Sequence, residues 1–386
     1  MYSDDDLQSA VHAGVIDAKA ADALRDYVGT MRDGPVADEE NFRLASGFND
    51  IFVTIASVIM LVAMWWIGDS LQSDLHNYTG KKLPLAEYSA DGRYKAAGAF
   101  FCAGTAWLLS EYFVRRRRMA LPGIALLLAF TVGILMGVQS YFTDMNYTKF
   151  GDASYQFQTA ASDSKYYVQV ARDNGIIALS ALGAAMGALL FWWRMRAPIA
   201  IAAASGMSAA SLIFGIFYFS KTESIGGAGS LPLILIMASG LAIFAFAMWW
   251  DISDTDRKTQ RSDIAFWLHL LAAPMIAHAL FALVVTGEGG EMSTSSIALT
   301  LGLYAFFAVV AIMVDRRALL VSALAYVLIA MSSLFRDFGF IELGFAITAL
   351  IIGSALLLLS AFWAPIRRNL LRILPSVVTV RLPAPR

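Results

Sequence analysis

The sequence predicts an all-α membrane protein, a bundle of about ten transmembrane helices with a small helical hairpin ahead of it. Three observations carry that prediction. The chain of 386 residues is 58% hydrophobic and only 15% charged, where a soluble domain typically carries about 25% charged residues. Its apolar runs repeat at the length a bilayer demands, about 20 residues per spanning helix. Between them, short arginine-rich turns alternate with longer loops of mixed or acidic charge.

Taken in order, the spans fall at 50–68, 94–114, 119–142, 175–193, 197–219, 230–250, 264–286, 295–314, 318–335 and 338–363. Cationic turns follow spans two, four, six and eight: Arg115–Arg118, Arg194 with Arg196, Arg257 with Lys258 and Arg261, and Arg316 with Arg317. The tail after span ten carries Arg367, Arg368 and Arg372. With an even number of spans all of these lie on one side, and lysine and arginine in short loops mark the cytoplasmic side. Both termini are therefore expected in the cytoplasm. The opposite loop at 287–294 holds Glu288 and Glu291 and no cation. Most tryptophans stand near predicted span ends, as interfacial anchors do; Trp107 lies well inside.

Three regions follow: a cytoplasmic hairpin and linker at 1–45, the membrane bundle at 46–366 and a basic cytoplasmic tail at 367–386. In the hairpin, Asp4–Asp6 can cap a short helix with Leu7, Ala10 and Val11 on one face. Gly14 breaks it, and Asp17 caps a second helix with Ala20, Leu24, Tyr27 and Val28 inward. Some 25 residues cannot build a core of their own, so a cap docked on the bundle or on a partner is expected. The hairpin is acidic and the chain's formal net charge is −1, which opposes phosphate binding and speaks against a nucleic-acid partner. The first apolar run begins near Ile51 behind a polar segment, so it is expected to be a retained helix and not a cleaved signal. The single cysteine, Cys102, excludes an intrachain disulfide.

The segments "EYFVRRRRMALPGIALL", "LLFWWRMRAPIAIAA" and "AIMVDRRALLVSALA" share one plan of helix end, arginine turn and helix start. Asn77-Tyr78-Thr79 and Asn146-Tyr147-Thr148 also recur. Duplication would give this pattern, as would the need of every such hairpin for cations at its inner tip. The opening "DDDLQSAVHAGVIDAKAADALRDYV", the acidic junction before the first span and the closing "SALLLLSAFWAPIRRNLLRILP" resemble an uncharacterised family of bacterial multi-pass inner-membrane proteins with a short N-terminal helical domain. The resemblance implies a bacterial inner membrane and brings no activity and no functional residue.

Ionisable residues inside spans are the default functional candidates, because each is costly in lipid. Span seven carries His269, Pro274 and His278. The histidines are nine apart, on opposite helix faces, so a regular helix cannot direct both at one metal. Glu342 lies about 6 Å, and His278 about 12 Å, below the outer ends of their spans. The two would meet if spans seven and ten are neighbours, beneath Arg336 and Asp337. That pair would suit proton coupling; the alternative is a histidine hydrogen-bonded to backbone or serine, with Glu342 at the interface. Glu111 is expected to pair with the arginine quartet. Gly133 with Gly137, Gly183 with Gly187, and Gly206 between Ala202 and Ala210 are spaced for close helix packing. The tyrosine-rich outer loop at 143–174 suits a lid, a partner surface or a surface-lying amphipathic segment.

No zinc-protease, phosphate-loop or nucleophile-elbow motif is present, and no cofactor or metal is expected. Two functional classes remain ahead of an intramembrane enzyme. The first is a structural, assembly or regulatory membrane protein that binds a protein partner through the hairpin or the outer loop. The second is a small-solute permease, proton-linked through His278 and Glu342; a polar cavity reaching His278 would distinguish it. The lipid bilayer is the expected partner in either case.

Overall fold

The computed structural model describes residues 4–31, 48–78, 96–150, 164–221, 229–254, 259–285, 294–315, 350, 353–354, 357–358 and 361–373. Among these residues there is no strand, and eleven helices account for nearly all of them. They are α1 (Asp4–His12), α2 (Ala18–Met31), α3 (Phe48–Tyr78), α4 (Ala96–Phe113), α5 (Ala120–Phe150), α6 (Ser164–Met195), α7 (Ile199–Ser220), α8 (Leu231–Ile252), α9 (Gln260–Val285), α10 (Thr294–Val314) and α11 (Trp363–Ile373). Six of them, α3 and α5 to α9, are long and apolar enough to cross a membrane, as a multi-pass membrane protein requires. Span nine of the sequence reading lies outside the described residues, as does span ten except for 350, 353–354, 357–358 and 361–363.

The chain divides into two compact units, Met1–Arg43 and Leu44–Arg386. In the first, Gly14 takes φ +68°, a conformation glycine adopts without steric cost, and the Val15 amide bonds back to the Ala10 carbonyl at 2.9 Å. Asp17 precedes α2, and its carbonyl accepts the Ala20 and Ala21 amides. Among the α2 side chains described, Ala21 is buried while Ala20 is exposed, and Leu24, expected inside, is 42% exposed; Tyr27 and Val28 lie outside the described side chains.

In the second unit, sequence neighbours pack as antiparallel pairs: α3 with α4, α4 with α5, α5 with α6, α6 with α7 and α8 with α9, while α9 also packs on α7. Two apolar clusters result. One joins α3 to α7 through Leu61, Leu126, Leu127, Phe130 and Phe191. Its centre is an aromatic triad in which Trp107 stands 5.3 Å from Phe130 and 6.1 Å from Phe191. The other joins α7 to α11 around Leu268, Ile276, Phe281 and Phe307. Trp192 touches both. The outward faces are equally apolar: Phe52, Ile55, Ile59, Val62 and Trp66 on α3, and Ile234, Leu241 and Trp249 on α8, are exposed.

Helices in an apolar surround gain little from burying side chains, so close backbone approach must hold them. A Cβ on Gly98 would stand 2.6 Å from the Trp65 carbonyl oxygen, and one on Gly68 would stand 2.8 Å from Gly98 Cα. Gly133 meets the Ala99 carbonyl in the same way at 2.8 Å. Where α3 passes the start of α4, the Ala97 amide donates to Gln72 Oε1 at 2.9 Å, satisfying one of the amides that a helix start leaves open.

Two elements run beyond their predicted ends. α3 continues to Tyr78, and the outer loop expected at 143–174 is helical to Phe150 and again from Ser164. Hydropathy marks where apolar character stops, not where hydrogen bonding stops, and the first glycine after Gly137 is Gly151. At the C-terminus, α11 runs across the expected boundary at 366–367.

Substituting Gly98 with Ala should lower stability by about 1–3 kcal/mol through overpacking. The same change at Gly104, where a Cβ meets nothing within 4 Å, should be neutral or slightly stabilising. Thermal unfolding of both variants in detergent tests this; equal midpoints would refute the close-approach account.

Candidate functional site

α9 is the most enclosed of the six long helices, with 56% of its apolar window buried against 17% for α3 and for α8. Small residues make this enclosure possible. Ala265, Ala272, Ala273 and Ala277 are buried without exposed surface, and Gly240 of α8 lies where a Cβ would come within 3.2 Å of the Ile276 amide nitrogen. From that crossing α8 and α9 run antiparallel down to a buried polar pair. His269 Nε2 and Asp251 Oδ2 are 2.9 Å apart, with side chains 1% and 2% exposed.

Local sequence sets both partners. Asp251 lies in the last turn of α8, on the face that also carries Phe244 and Ala247, three and four residues apart along the helix. Phe244 places its ring edge-on to the imidazole at 5.1 Å. Beyond Asp251 the chain turns, and Thr259 opens α9 with its hydroxyl oxygen accepting the Arg261 amide at 3.3 Å. Asp254 holds Thr259 through both its amide and its hydroxyl. His269 then falls nearly three turns inside α9.

Imidazolium with carboxylate and imidazole with carboxylic acid both carry zero net charge, so transfer of a proton within such a pair leaves that charge unchanged. An external proton would change that charge in a place where a lone charge is costly. Pro274, five residues on, lacks the amide that would bond the Leu270 carbonyl, so the helix ladder is already interrupted beside the pair.

A second buried polar group ties α10 to α11. The Trp363 indole donates to Asp315 Oδ1 at 2.8 Å. The Arg367 guanidinium approaches Asp315 Oδ2 at 3.6 Å and donates through Nε to the Ile312 carbonyl at 3.2 Å. Arg367 is only 4% exposed, although the sequence reading assigns it to a basic tail.

A third polar group joins two arginine turns. Glu111 accepts from Arg115 at 3.0 Å, as expected, and also from Arg194 through Nε at 2.7 Å and Nη2 at 3.3 Å. The turns between α4 and α5 and between α6 and α7 are therefore adjacent.

The other expected site residues are placed as follows. His278 is exposed, on the face of α9 away from His269. Glu342, Arg336 and Asp337 lie outside the described residues, as do the acids of the loop at 287–291. Gly137 faces the Phe100 ring, Gly187 the Ile134 side chain and Gly206 Leu271, each at 3.3 Å or less for an added Cβ, and Gly183 is in ordinary contact with Val138. Asp251 and Asp315 are the residues that sequence reasoning missed. Each is the first acid after an apolar helix, which reads as loop; a helical face ending in an acid opposite a span that carries a histidine was the available signal. Among the described residues no group of three histidine, cysteine or acidic side chains could hold a metal ion.

The fold and these groups define an all-helical chain with membrane-length helices and paired polar groups at helix ends. No protein-family model, curated relative or solved structure matches it.

Removing one partner of the buried pair should cost far more than removing both. His269→Ala or Asp251→Ala is expected to lose about 3–5 kcal/mol, whereas Asp251→Leu combined with His269→Leu should recover most of it. A double-mutant cycle on unfolding in detergent measures this, and purely additive single effects would show that the two groups do not interact.

Proposed function

We propose that the chain is a bacterial inner-membrane protein with about ten crossings and both termini cytoplasmic, working by binding a protein partner in a structural, assembly or regulatory role. The observation that carries this reading is the separate N-terminal unit, which leaves Val15 74% and Leu24 42% exposed. In water such side chains favour contact with another apolar surface. Supporting it, several described helices meet at close-approach glycines, and the buried His269 and Arg367 each face an acid on a neighbouring element.

Site-specific photo-crosslinking tests it in cells. A crosslinker at Val15 or Leu24 should yield one discrete protein adduct that is lost when the other position is changed to Asp. Adducts that are absent, or unchanged by the Asp substitution, would remove the basis of the reading. Deleting residues 1–34 should leave the bundle inserted and folded, because each span carries its own insertion signal.

The topology part has its own test. In a Cys102→Ala background, a cysteine replacing Arg196 should resist an impermeant thiol reagent in intact cells and react after lysis. Labelling in intact cells would overturn the ten-span arrangement.

A second reading is favoured by the His269–Asp251 pair on the most enclosed, proline-interrupted helix: a proton-linked small-solute permease. It uses this pair in place of His278 with Glu342. Proteoliposomes loaded with a pH-sensitive dye decide between the two. Solute-dependent proton movement that is abolished by His269→Gln would replace the partner-binding reading with the permease.

A further inference from the structure

We infer that the two adjoining arginine turns form a binding site for the phosphate of an anionic phospholipid headgroup. The inference rests on the membrane placement proposed above and adds a ligand to it.

Six arginines converge at this end of the bundle: Arg115, Arg116, Arg117 and Arg118 from one turn, Arg194 and Arg196 from the other. Glu111 brings the turns together and takes up Arg115 and Arg194. Among the described residues no carboxylate pairs with Arg116, Arg117, Arg118 or Arg196, and all four are exposed. One carboxylate faces two guanidinium groups at the base of the patch, so its base is half-neutralised and its rim is cationic.

The rim is held in place. The Arg117 guanidinium lies over the Tyr112 ring at 5.6 Å and donates to its hydroxyl at 3.2 Å. Arg196 lies over the Trp192 ring at 5.3 Å. Arg118 and Arg196 both take left-handed backbone angles, φ 53° and 57°, which close the two turns and turn consecutive arginines apart. Arg117 commits Nη2 to the Tyr112 hydroxyl, and the remaining N–H donors of the two guanidinium groups have the fork geometry that matches a phosphate.

Depth selects the source of that phosphate. The membrane-length segment Ala120–Thr143 begins two residues after Arg118, and Val170–Met195 ends one residue before Arg196, so on the membrane placement proposed above each turn borders hydrocarbon. The headgroup layer is about 5–7 Å thick on each side, and at about 1.5 Å per residue the arginines fall inside it. Tyr112, Trp192 and Trp193 line the same end, as rings do at that layer. A soluble polyanion would have to enter a layer where lipid phosphates are already concentrated.

The test uses the full chain extracted in a neutral detergent, after a carbonate wash shows that it stays with the membrane fraction; release by that wash would defeat the membrane placement and not the lipid site. Thermal unfolding is then followed on titration with phosphatidylglycerol, phosphatidylcholine and, separately, inorganic phosphate. The expected result is a saturable rise in midpoint with phosphatidylglycerol alone. In a variant combining Arg116→Gln, Arg117→Gln and Arg196→Gln, the lipid concentration for half-effect should rise at least tenfold with the lipid-free midpoint unchanged. Arg261→Gln, in the first turn of α9, should leave it unaltered. The inference is overturned if phosphatidylcholine acts equally, if inorganic phosphate reproduces the effect, if the triple variant responds as the parent does, or if Arg261→Gln weakens the response as much. Should the triple variant unfold, native mass spectrometry of Arg116→Gln alone replaces it, with loss of retained phosphatidylglycerol expected and full retention counting against the site.

Discussion

Close approach of helix backbones is the constraint on which the rest of the bundle depends. A helix that leaves water for lipid has already buried its side chains, so a second helix offers it only better packing and hydrogen bonds. Dispersion falls steeply with distance, and the gain is realised only where the interface residues are small. Gly68 against Gly98, Gly98 against the Trp65 carbonyl and Gly133 against the Ala99 carbonyl fix the separations of α3, α4 and α5. Gly240 does the same for α8 and α9. The large residues then fill what these contacts leave open, as the Trp107, Phe130 and Phe191 triad does.

Polar pairing follows the same geometry. Asp251 with His269 and Asp315 with Trp363 and Arg367 are buried, Glu111 with Arg194 is partly exposed, and each set joins two helices with its acid at or near a helix end. A charge at a helix end can be desolvated by a neighbouring helix without being driven to the middle of the span. Each such group specifies which helix ends meet, a role glycine contacts cannot fill because they are alike in chemistry. The pairs are thus better understood as address labels than as sources of net stability, since a buried ion pair roughly balances its desolvation.

Much of the fold was legible in the sequence because hydropathy reports transfer from water residue by residue. The hairpin with its Gly14 break, the long apolar helices from α3 to α10 and the arginine turns follow from composition and spacing. Helix ends were less legible: Tyr78 and Phe150 close helices that outlast their apolar windows. The partners were least legible. Glu111 could be matched to Arg115 four residues away, but its bond to Arg194 depends on which hairpins are adjacent. His269 was singled out as an intramembrane histidine, and Asp251 was not, because an acid after Trp249 and Trp250 reads as the start of a loop. Pairing is a property of tertiary contact, and a one-dimensional profile carries no term for it.

The Trp363–Asp315 bond has a topological consequence. It places the two ends of the stretch 316–362 within one hydrogen bond of each other, at the same end of α10. A path that leaves and returns to one level must cross any bilayer an even number of times, whatever shape it takes between. Between Glu111 and Arg194 the chain likewise goes out and returns, through α5 and α6. Any rearrangement that parts the end of α10 from the start of α11 would cost Asp315 its indole and its guanidinium partner together.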